Sequence, residues 1–352
     1  MKKMLALLLA LVMVLSLAAC ASSQPATTDA AASTETAETT ETTETTEPAA
    51  EESAEAPAES GKTYTVGVCQ LVQHEALDAA TQGFIDALKE ELGDAVTVDV
   101  QNASGDSVNC GTIVNGFVSK GVDLIMANAT PALTAAVSAT ADIPILGTSI
   151  TAYGVALDID DFNGTVGGNV SGTSDLADLQ VQAQMILDWF PETKTVGLLF
   201  CSAEPNSRYQ IDEVRKALEA QGVTCEEFAF TDSNDVSSVT QKAADFSDVV
   251  YIPTDNTAAS NTEAIANVLI PAGVPAVCGE EGLCRGCGVA TLSISYYDLG
   301  VTTGKMAAKI LKGEADISTM PVEYTDATPK YNASVCEQLG ITPLDGYEAI
   351  DG

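Results

Sequence analysis

Residues 63–69 read Thr-Tyr-Thr-Val-Gly-Val-Cys, a short run rich in β-branched residues that predicts a strand. The segment 77–92 follows with apolar residues at every third or fourth position, which predicts an amphipathic helix. The alternation continues through the first half of the chain, with strands predicted at 95–100, 122–126 and 143–146 and helices at 108–120 and 130–140. This order is typical of a parallel sheet with crossover helices.

The second half of the globular part repeats the same pattern. Residues 195–200 read Thr-Val-Gly-Leu-Leu-Phe and match the first strand, and the helical pattern at 208–221 matches the first helix. The runs 248–252 and 274–277 match the third and fourth strands, at offsets of about 125 to 131 positions. Because this period is as long as a domain, it predicts an α/β fold of two similar lobes rather than a solenoid. Each lobe is expected to be a parallel sheet flanked by helices.

Polar residues follow the predicted strands in both halves. In open α/β sheets ligands bind beyond the carboxyl ends of the strands, so two such lobes facing each other predict a cleft that closes on a small ligand. The candidate ligand-binding residues are Gln70, His74, Thr130, Thr148, Ser174, Asp175, Asn206, Ser207, Asp255, Asn256 and Glu280.

Two helix starts offer backbone amides for a ligand carboxylate. Ser174 or Asp175 is the predicted N-cap of a helix from Leu176 to Phe190, and Asn206 and Ser207 open the next one. Free amides at such a start bind carboxylates, but capping alone explains the same residues.

Asp255 is the candidate partner for a ligand ammonium, because the matching first-half loop 128–131 carries no charge. An Asp-Asn turn or a helix cap is the alternative, and Glu280 and Glu281 compete for the same role. His74 is the only histidine and has no assignable nucleophile, so a structural role competes with a ligand role there. Gln70, at the end of the first strand, is the stronger of these two candidates for the pocket.

The N-terminus predicts export. Lys2 and Lys3 precede an apolar run that is interrupted only at Ser16, and the sequence Leu-Ala-Ala-Cys ends at Cys20. This predicts a signal peptide over residues 1–19. Residues 17–20 resemble a bacterial lipobox, which implies cleavage before Cys20 and attachment of lipid to its sulfur. A plain signal peptide is the alternative. Residues 20–62 are acidic and rich in Thr and Glu, so they predict a disordered tether.

The composition excludes several classes of protein. The chain has 352 residues and a formal charge of −35, so it is not expected to bind nucleic acid or anionic lipid by charge. No second apolar run approaches the ~20 residues of a membrane span, which leaves the lipid as the only membrane attachment. The pair Cys284–Cys287 has no second CxxC and no nearby His, and it is predicted to lie in a Gly-rich loop, so neither metal nor cofactor is expected. Unpaired thiols are favoured for the eight other cysteines, and a local disulfide at this pair remains open.

Five short segments, taken in order, give the part after the tether a specific resemblance: 70–78, 169–175, 202–207, 253–257 and 296–300. They resemble the solute-binding proteins of ABC importers that include the tryptophan-type and related amino-acid-binding lipoproteins. The resemblance implies lobes of the type I periplasmic-binding-protein kind, joined by three crossing segments near 150–174, 288–294 and 319–328. Lobe 1 is then 63–150 plus 293–319, and lobe 2 is 172–288 plus 328–352. The Cys-Arg-Gly-Cys insert at 284–287 departs from the usual appearance of that loop.

The resemblance also implies a function. We expect a monomeric, lipid-anchored, extracytoplasmic protein without enzyme activity that passes a small ligand to ABC permease and ATPase subunits. An amino acid is the expected ligand, with aromatic ones among the candidates. A sugar is the main alternative ligand, although the strand-end loops carry almost no aromatic rings. A surface-anchored hydrolase or thiol enzyme, and a sensor that feeds a signalling receptor, are the alternatives of other classes.

Overall fold

The computed structural model describes residues 62–350, so the predicted signal peptide, Cys20 and nearly all of the tether lie outside the described residues. The first part of the described chain alternates strands and helices as the sequence predicts. Its elements are β1 Tyr64–Gln70, α1 Glu75–Leu92, β2 Val96–Asn102, α2 Ser107–Lys120, β3 Leu124–Asn128, α3 Thr130–Ala139, β4 Ile145–Ile150, α4 Tyr153–Ala156 and β5 Val170–Ser174.

The second part repeats the alternation and then returns to the first sheet. Its elements are α5 Leu179–Trp189, β6 Thr195–Cys201, α6 Pro205–Glu219, β7 Thr224–Phe230, α7 Val236–Phe246, β8 Val249–Ile252, α8 Asn256–Ala259, α9 Thr262–Ala272, β9 Ala276–Cys278, α10 Glu281–Cys287 and β10 Ala290–Ser293. The C-terminal elements are α11 Tyr296–Lys312, β11 Glu323–Tyr324, β12 Thr328–Tyr331, α12 Ala333–Leu339 and β13 Glu348–Ala349.

The strands form two sheets, which confirms the predicted α/β fold of two lobes. The first sheet has the order β11-β5-β4-β3-β1-β2, and the second has the order β13-β12-β10-β9-β8-β6-β7. Neighbouring strands are parallel except β10 and β12. Apolar side chains alternate between the two faces of each sheet: in β3, Leu124 and Met126 pack on one face while Ile125 and Ala127 pack on the other. Helices cover both faces, as parallel sheets require.

The first crossing between lobes lies later than the sequence predicts. Residues 170–174 form β5, which pairs with β4 in the first sheet, so the chain crosses at 175–178 and not within 150–174. The segment Val-Ser-Gly-Thr-Ser has one β-branched aliphatic residue, which is why its pattern indicates a loop. Its hydroxyls bond within the lobe, since the Ser171 Oγ donates to the Met320 carbonyl oxygen at 3.0 Å. The second crossing also lies later than predicted: residues 290–293 form β10 of the second sheet, so the chain crosses at 294–295 rather than across 288–294. The third crossing lies at 325–327.

Two local predictions are wrong. Helix α5 is capped by Asp178, whose Oδ1 accepts from the Gln180 amide at 2.9 Å, and not by Ser174 or Asp175. The pair Cys284 and Cys287 lies in helix α10 rather than in a Gly-rich loop. All eight cysteines of the described residues are free thiols. Between residues 62 and 350, no helix combines the length and hydropathy that a membrane span needs.

Helices α1 and α11 pack with their backbones in direct contact. A Cβ at Gly300 would overlap the carbonyl oxygen of Ala80, and a Cβ at Gly83 would overlap the carbonyl oxygen of Tyr297. Gly304 is similarly close to the backbone of Phe84. These glycines let a helix that follows the second lobe lie tightly on the first helix of the chain.

We therefore expect Gly300→Ala to lower the free energy of unfolding by about 1–3 kcal/mol, because the added methyl group overpacks this contact. Gly116→Ala is the matched control: it lies inside helix α2, and a Cβ there meets no atom within 4 Å. Since Ala favours a helix over Gly, Gly116→Ala should stabilise the protein by about 0.5–1 kcal/mol. Urea denaturation of both variants measures the difference, and equal effects would contradict the close packing.

Candidate functional site

A small cavity lies between the lobes, at the carboxyl ends of the strands of both sheets. Its volume is about 10 Å³, which is room for roughly one water molecule. Six of the predicted ligand-binding residues line it: His74, Asp175, Asn206, Asp255, Asn256 and Glu280. The lobes or side chains must therefore move before a larger molecule can enter.

Two of the three carboxylates that line the cavity are occupied as helix caps. The Asp255 Oδ2 accepts from the Cys201 amide at 2.6 Å, and its Oδ1 accepts from the Ala258 amide at 2.8 Å. The Glu280 carboxylate accepts from the Gly282 amide at 2.6 Å and from the Leu283 amide. These contacts agree with the capping alternative for Asp255, and they give Glu280 a capping role that its sequence did not indicate.

The same two carboxylates hold their protons unusually strongly. Burial raises the pKa of Asp255 to about 8, and the charge of Glu204 adds to the effect. Burial likewise raises the pKa of Glu280 to about 7. Backbone hydrogen bonds oppose both shifts but do not cancel the cost of removing the charges from water.

A buried network holds His74 of the first lobe against the second. The His74 Nε2 lies 3.2 Å from the Asn256 Oδ1, and burial lowers the pKa of this histidine. The Asn256 Nδ2 donates to the Glu204 Oε2 at 2.6 Å, and the Thr257 amide donates to the other Glu204 oxygen at 2.8 Å. Glu204 is thus saturated with donors, and the contact of His74 with Asn256 joins the lobes on one side of the cavity.

Asp175 differs from the other cavity carboxylates because one of its oxygens has no partner. Its Oδ2 accepts from the Tyr296 hydroxyl at 2.9 Å, while its Oδ1 is buried and unpaired. Burial raises the pKa of Asp175, and the neighbouring hydroxyl groups of Tyr296 and Thr151 oppose that shift. The Asn206 Oδ1 and the Ser149 Oγ are also buried without a partner, and both residues line the cavity. Each unsatisfied buried polar group costs about 1–3 kcal/mol, so a molecule that forms hydrogen bonds with these three atoms would stabilise the site.

Five predicted residues lie outside the lining of this cavity. The Gln70 Nε2 donates to the Asp78 Oδ1 at 2.7 Å, and the Thr148 Oγ1 lies 3.2 Å from the Thr173 Oγ1. The Ser174 Oγ donates to the Thr151 carbonyl oxygen at 3.0 Å. Thr130 is buried at the start of α3, and the Ser207 Oγ accepts from the Asn206 Nδ2 at 3.4 Å.

The sequence interpretation missed four polar residues that line the cavity: Ser149, Thr151, Thr254 and Tyr296. The sequence could have indicated Tyr296 as a site residue, because it lies two residues after the predicted second crossing at 288–294. Ser149 lies in β4 with a φ of 56°, a backbone conformation that the sequence does not predict. Thr254 comes directly before Asp255 in the loop that the sequence already indicated.

Comparisons with known proteins all indicate the same family. Residues 65–346 match the profile of the family described as "ABC transporter substrate binding protein". A tyrosine-binding protein of Clostridioides difficile (strain R20291) is 32% identical over 276 residues, covering 77% of this chain and 79% of that protein. An ABC domain in complex with L-Trp from Streptococcus pneumonia is 32% identical, with a TM-score of 0.78 over 82% of this chain and 100% of that one.

A third comparison bears on the arrangement of the lobes. The ligand-free, open structure of a Clostridium difficile substrate-binding protein with adhesive properties is also 32% identical, over 82% of this chain and 99% of that one. Its TM-score is 0.62, lower than that of the L-Trp complex. At equal identity, the difference indicates that the lobes here are arranged more as in the complex. The small volume of the cavity is consistent with closed lobes.

The raised pKa values predict how the stability of the ligand-free protein depends on pH. Asp255 and Glu280 bind protons more tightly when folded than when unfolded, so the stability they add is lost as pH rises through about 7 to 8. Between pH 6.5 and 8 we expect the free energy of unfolding to fall by on the order of 1–2 kcal/mol. The lowered pKa of His74 makes stability rise with pH, but only below the usual histidine pKa of about 6.5. The thiols of the unfolded chain ionise only above about 8.5, so they add little within this window. Chemical denaturation across this window is the measurement, and stability that rises with pH would contradict the assignment.

Proposed function

This chain belongs to the ABC transporter substrate-binding protein family, and we propose that it captures an aromatic amino acid between its two lobes. Proteins of this family are extracytoplasmic, bind a small ligand and work with an ABC permease and ATPase. The match covers residues 65–346 and thus both lobes. The role of the family is binding rather than chemistry.

The observation that carries the proposal is the unpaired oxygen of Asp175. A primary ammonium has three donors, and the three unpaired atoms at the cavity can receive them: the Asp175 Oδ1, the Asn206 Oδ1 and the Ser149 Oγ. The sequence favoured Asp255 for this role, but both oxygens of Asp255 already accept from backbone amides. We therefore assign the ammonium to Asp175 and a supporting, capping role to Asp255.

The donors available to the ligand carboxylate are neutral. The described residues that line the cavity include no Lys or Arg. The hydroxyls of Thr151 and Thr254 lie 3.5 Å apart across the lobes and are the donors we assign to the ligand carboxylate. Because one comes from each lobe, a carboxylate between them favours closure.

The similar proteins favour an amino acid with an aromatic side chain. One is named for binding tyrosine and the other was solved with L-Trp. A sugar is less favoured, because neither of these proteins is described as binding one. Burial raises the pKa of the Cys284 thiol, which argues against a thiol nucleophile at the CxxC pair.

Attachment to the membrane is the other part of the proposal. The sequence Leu-Ala-Ala-Cys at 17–20 supports a lipid on Cys20, and residues 21–62 then act as the tether. The acidic, Thr- and Glu-rich composition of the tether leaves the lobes free to open and close at a distance from the membrane.

Asp175→Asn should weaken amino-acid binding by roughly 30-fold or more, since removal of one partner from a buried charge pair costs about 2–5 kcal/mol. The melting temperature of the ligand-free variant should stay the same or rise. Asparagine can still accept from the Tyr296 hydroxyl, and it removes a buried carboxyl group that lacks a full set of partners. Isothermal titration with the twenty amino acids and several sugars, together with calorimetry, measures both effects.

Asp255→Asn is the matched control, because it turns an acceptor of a backbone amide into a donor. It should lower the free energy of unfolding by about 1–3 kcal/mol. If Asp255→Asn abolishes binding without loss of stability while Asp175→Asn binds normally, the ammonium lies at Asp255. If only sugars bind the unaltered protein, the proposed ligand class is wrong.

Cys20→Ser should move the protein out of the membrane, because serine offers no sulfur for the lipid. In a detergent-partition assay we expect the unaltered protein in the detergent phase, and the variant in the medium or as an uncut precursor. A variant that partitions like the unaltered protein refutes the lipid anchor.

A further inference from the structure

We propose that a groove beside the cavity holds the aromatic ring of the ligand; this rests on the proposed function. The groove, called here the side groove, has a volume of about 540 Å³. Its aromatic and aliphatic lining comprises Tyr153, Val155, Phe162, Leu176, Tyr209 and Tyr324.

The side groove adjoins the cavity. Thr151 lines both, and the consecutive residues Asp175 and Leu176 line one each. A ligand whose ammonium lies at Asp175 therefore has its side chain within reach of Leu176. The ammonium and the side chain of an amino acid are attached to the same carbon atom, so the two groups must bind at neighbouring places.

The chemistry of the side groove suits an aromatic ring. The rings of Tyr153 and Phe162 are stacked with their centroids 6.4 Å apart, so the buried Tyr153 supports the partly exposed Phe162 at the groove. Val155 and Tyr324 are 48% and 56% exposed, so two large apolar side chains of the groove face water. Exposed apolar side chains gathered in one groove indicate a surface that binds something.

The charged rim of the side groove restricts which ligand side chains can bind there. Asp158 and Asp160 line it and are exposed, so their carboxylates repel an acidic side chain. They are also acceptors for a phenol hydroxyl or an indole N–H. The groove therefore favours an aromatic amino acid whose ring carries a donor over phenylalanine, and it excludes aspartate and glutamate.

A second groove meets the cavity on the other side, at Asn256, and has a volume of about 390 Å³. It is less suited to a ring, because Glu204, Asp232 and several hydroxyl and amide side chains line it. Burial of an apolar ring against these groups would remove them from water without giving them hydrogen bonds.

A ring in the side groove also bears on closure. Tyr209 lies on α6 of the second lobe, whereas Tyr153, Phe162 and Tyr324 belong to the first. A ring that contacts both sides is held fully only when the lobes are closed. The side chain of the ligand thereby contributes to the preference of the bound protein for the closed state.

The test uses two substitutions in the side groove and a matched control for each. Tyr324→Ala removes an exposed ring on the edge strand β11, and Tyr297→Ala removes one that is 44% exposed on α11, outside the groove. Val155→Asp places a charge in the groove, and Val181→Asp places one at a residue that is 47% exposed on α5. Isothermal titration of the full chain with L-Tyr, L-Trp and L-Phe is the measurement, with melting temperatures as a check on folding.

We expect Tyr324→Ala to weaken binding of L-Tyr and L-Trp by about 2- to 12-fold, the usual effect of losing an aromatic contact. Val155→Asp should weaken it by roughly tenfold or more, because the ring would bury a charge. Both controls should bind like the unaltered protein. If the unaltered protein binds these amino acids and the groove variants bind them equally well, the side groove is not the subsite, while the proposed function stands. If the unaltered protein binds none of them, the proposed function itself has failed.

Discussion

The backbone contact between α1 and α11 determines how this chain is connected. Gly83, Gly300 and Gly304 allow the two helices to approach until side chains would no longer fit. Because α11 follows β10 of the second lobe, the chain must cross to the first lobe to make this contact, and it must cross again to reach β12. The second and third crossings therefore follow from one helix packing. A chain that ended after β10 would leave α1 without the helix that covers it.

The same packing helps to build the ligand site. Tyr296 is the first residue of α11, so the contact with α1 also fixes the position of the Tyr296 hydroxyl beside Asp175 on the first crossing. The cavity thus lies where two crossings meet, beside carboxyl groups whose pKa values burial raises to about 7 and about 8. Such a site destabilises the empty protein. A cationic ligand reverses this, because it supplies the partner that the buried carboxylate lacks.

The sequence predicts the fold well and the site less completely, for physical reasons. Strands rich in Val, Ile and Leu are buried on both faces and have a clear pattern, so the central strands of both sheets were predictable. Strand β5 was not, because Gly, Ser and Thr resemble a loop unless the partners of their hydroxyls are known. Asp255 shows the same limit at the site. A carboxylate after a strand fits a cap and a ligand contact equally well, and only the amides of Cys201 and Ala258 distinguish them.

Asp175 was predicted for the site as part of a helix start, and its position in the structure is the reason we propose the ligand ammonium as its partner instead. The sequence placed it at a helix start, where its neighbours' amides would bind a carboxylate. The structure places it on a crossing segment, with the helix starting at Leu179 instead. On a crossing segment, a residue keeps contact with the ligand while the lobes rotate around it. Residues that stay with the ligand during rotation anchor it, and residues on the two facing lobes, such as Thr151 and Thr254, contact it together only at the end. Under the assignment proposed above, the ammonium would bind Asp175 in the open state, and closure would follow as the hydroxyls of both lobes reach the carboxylate.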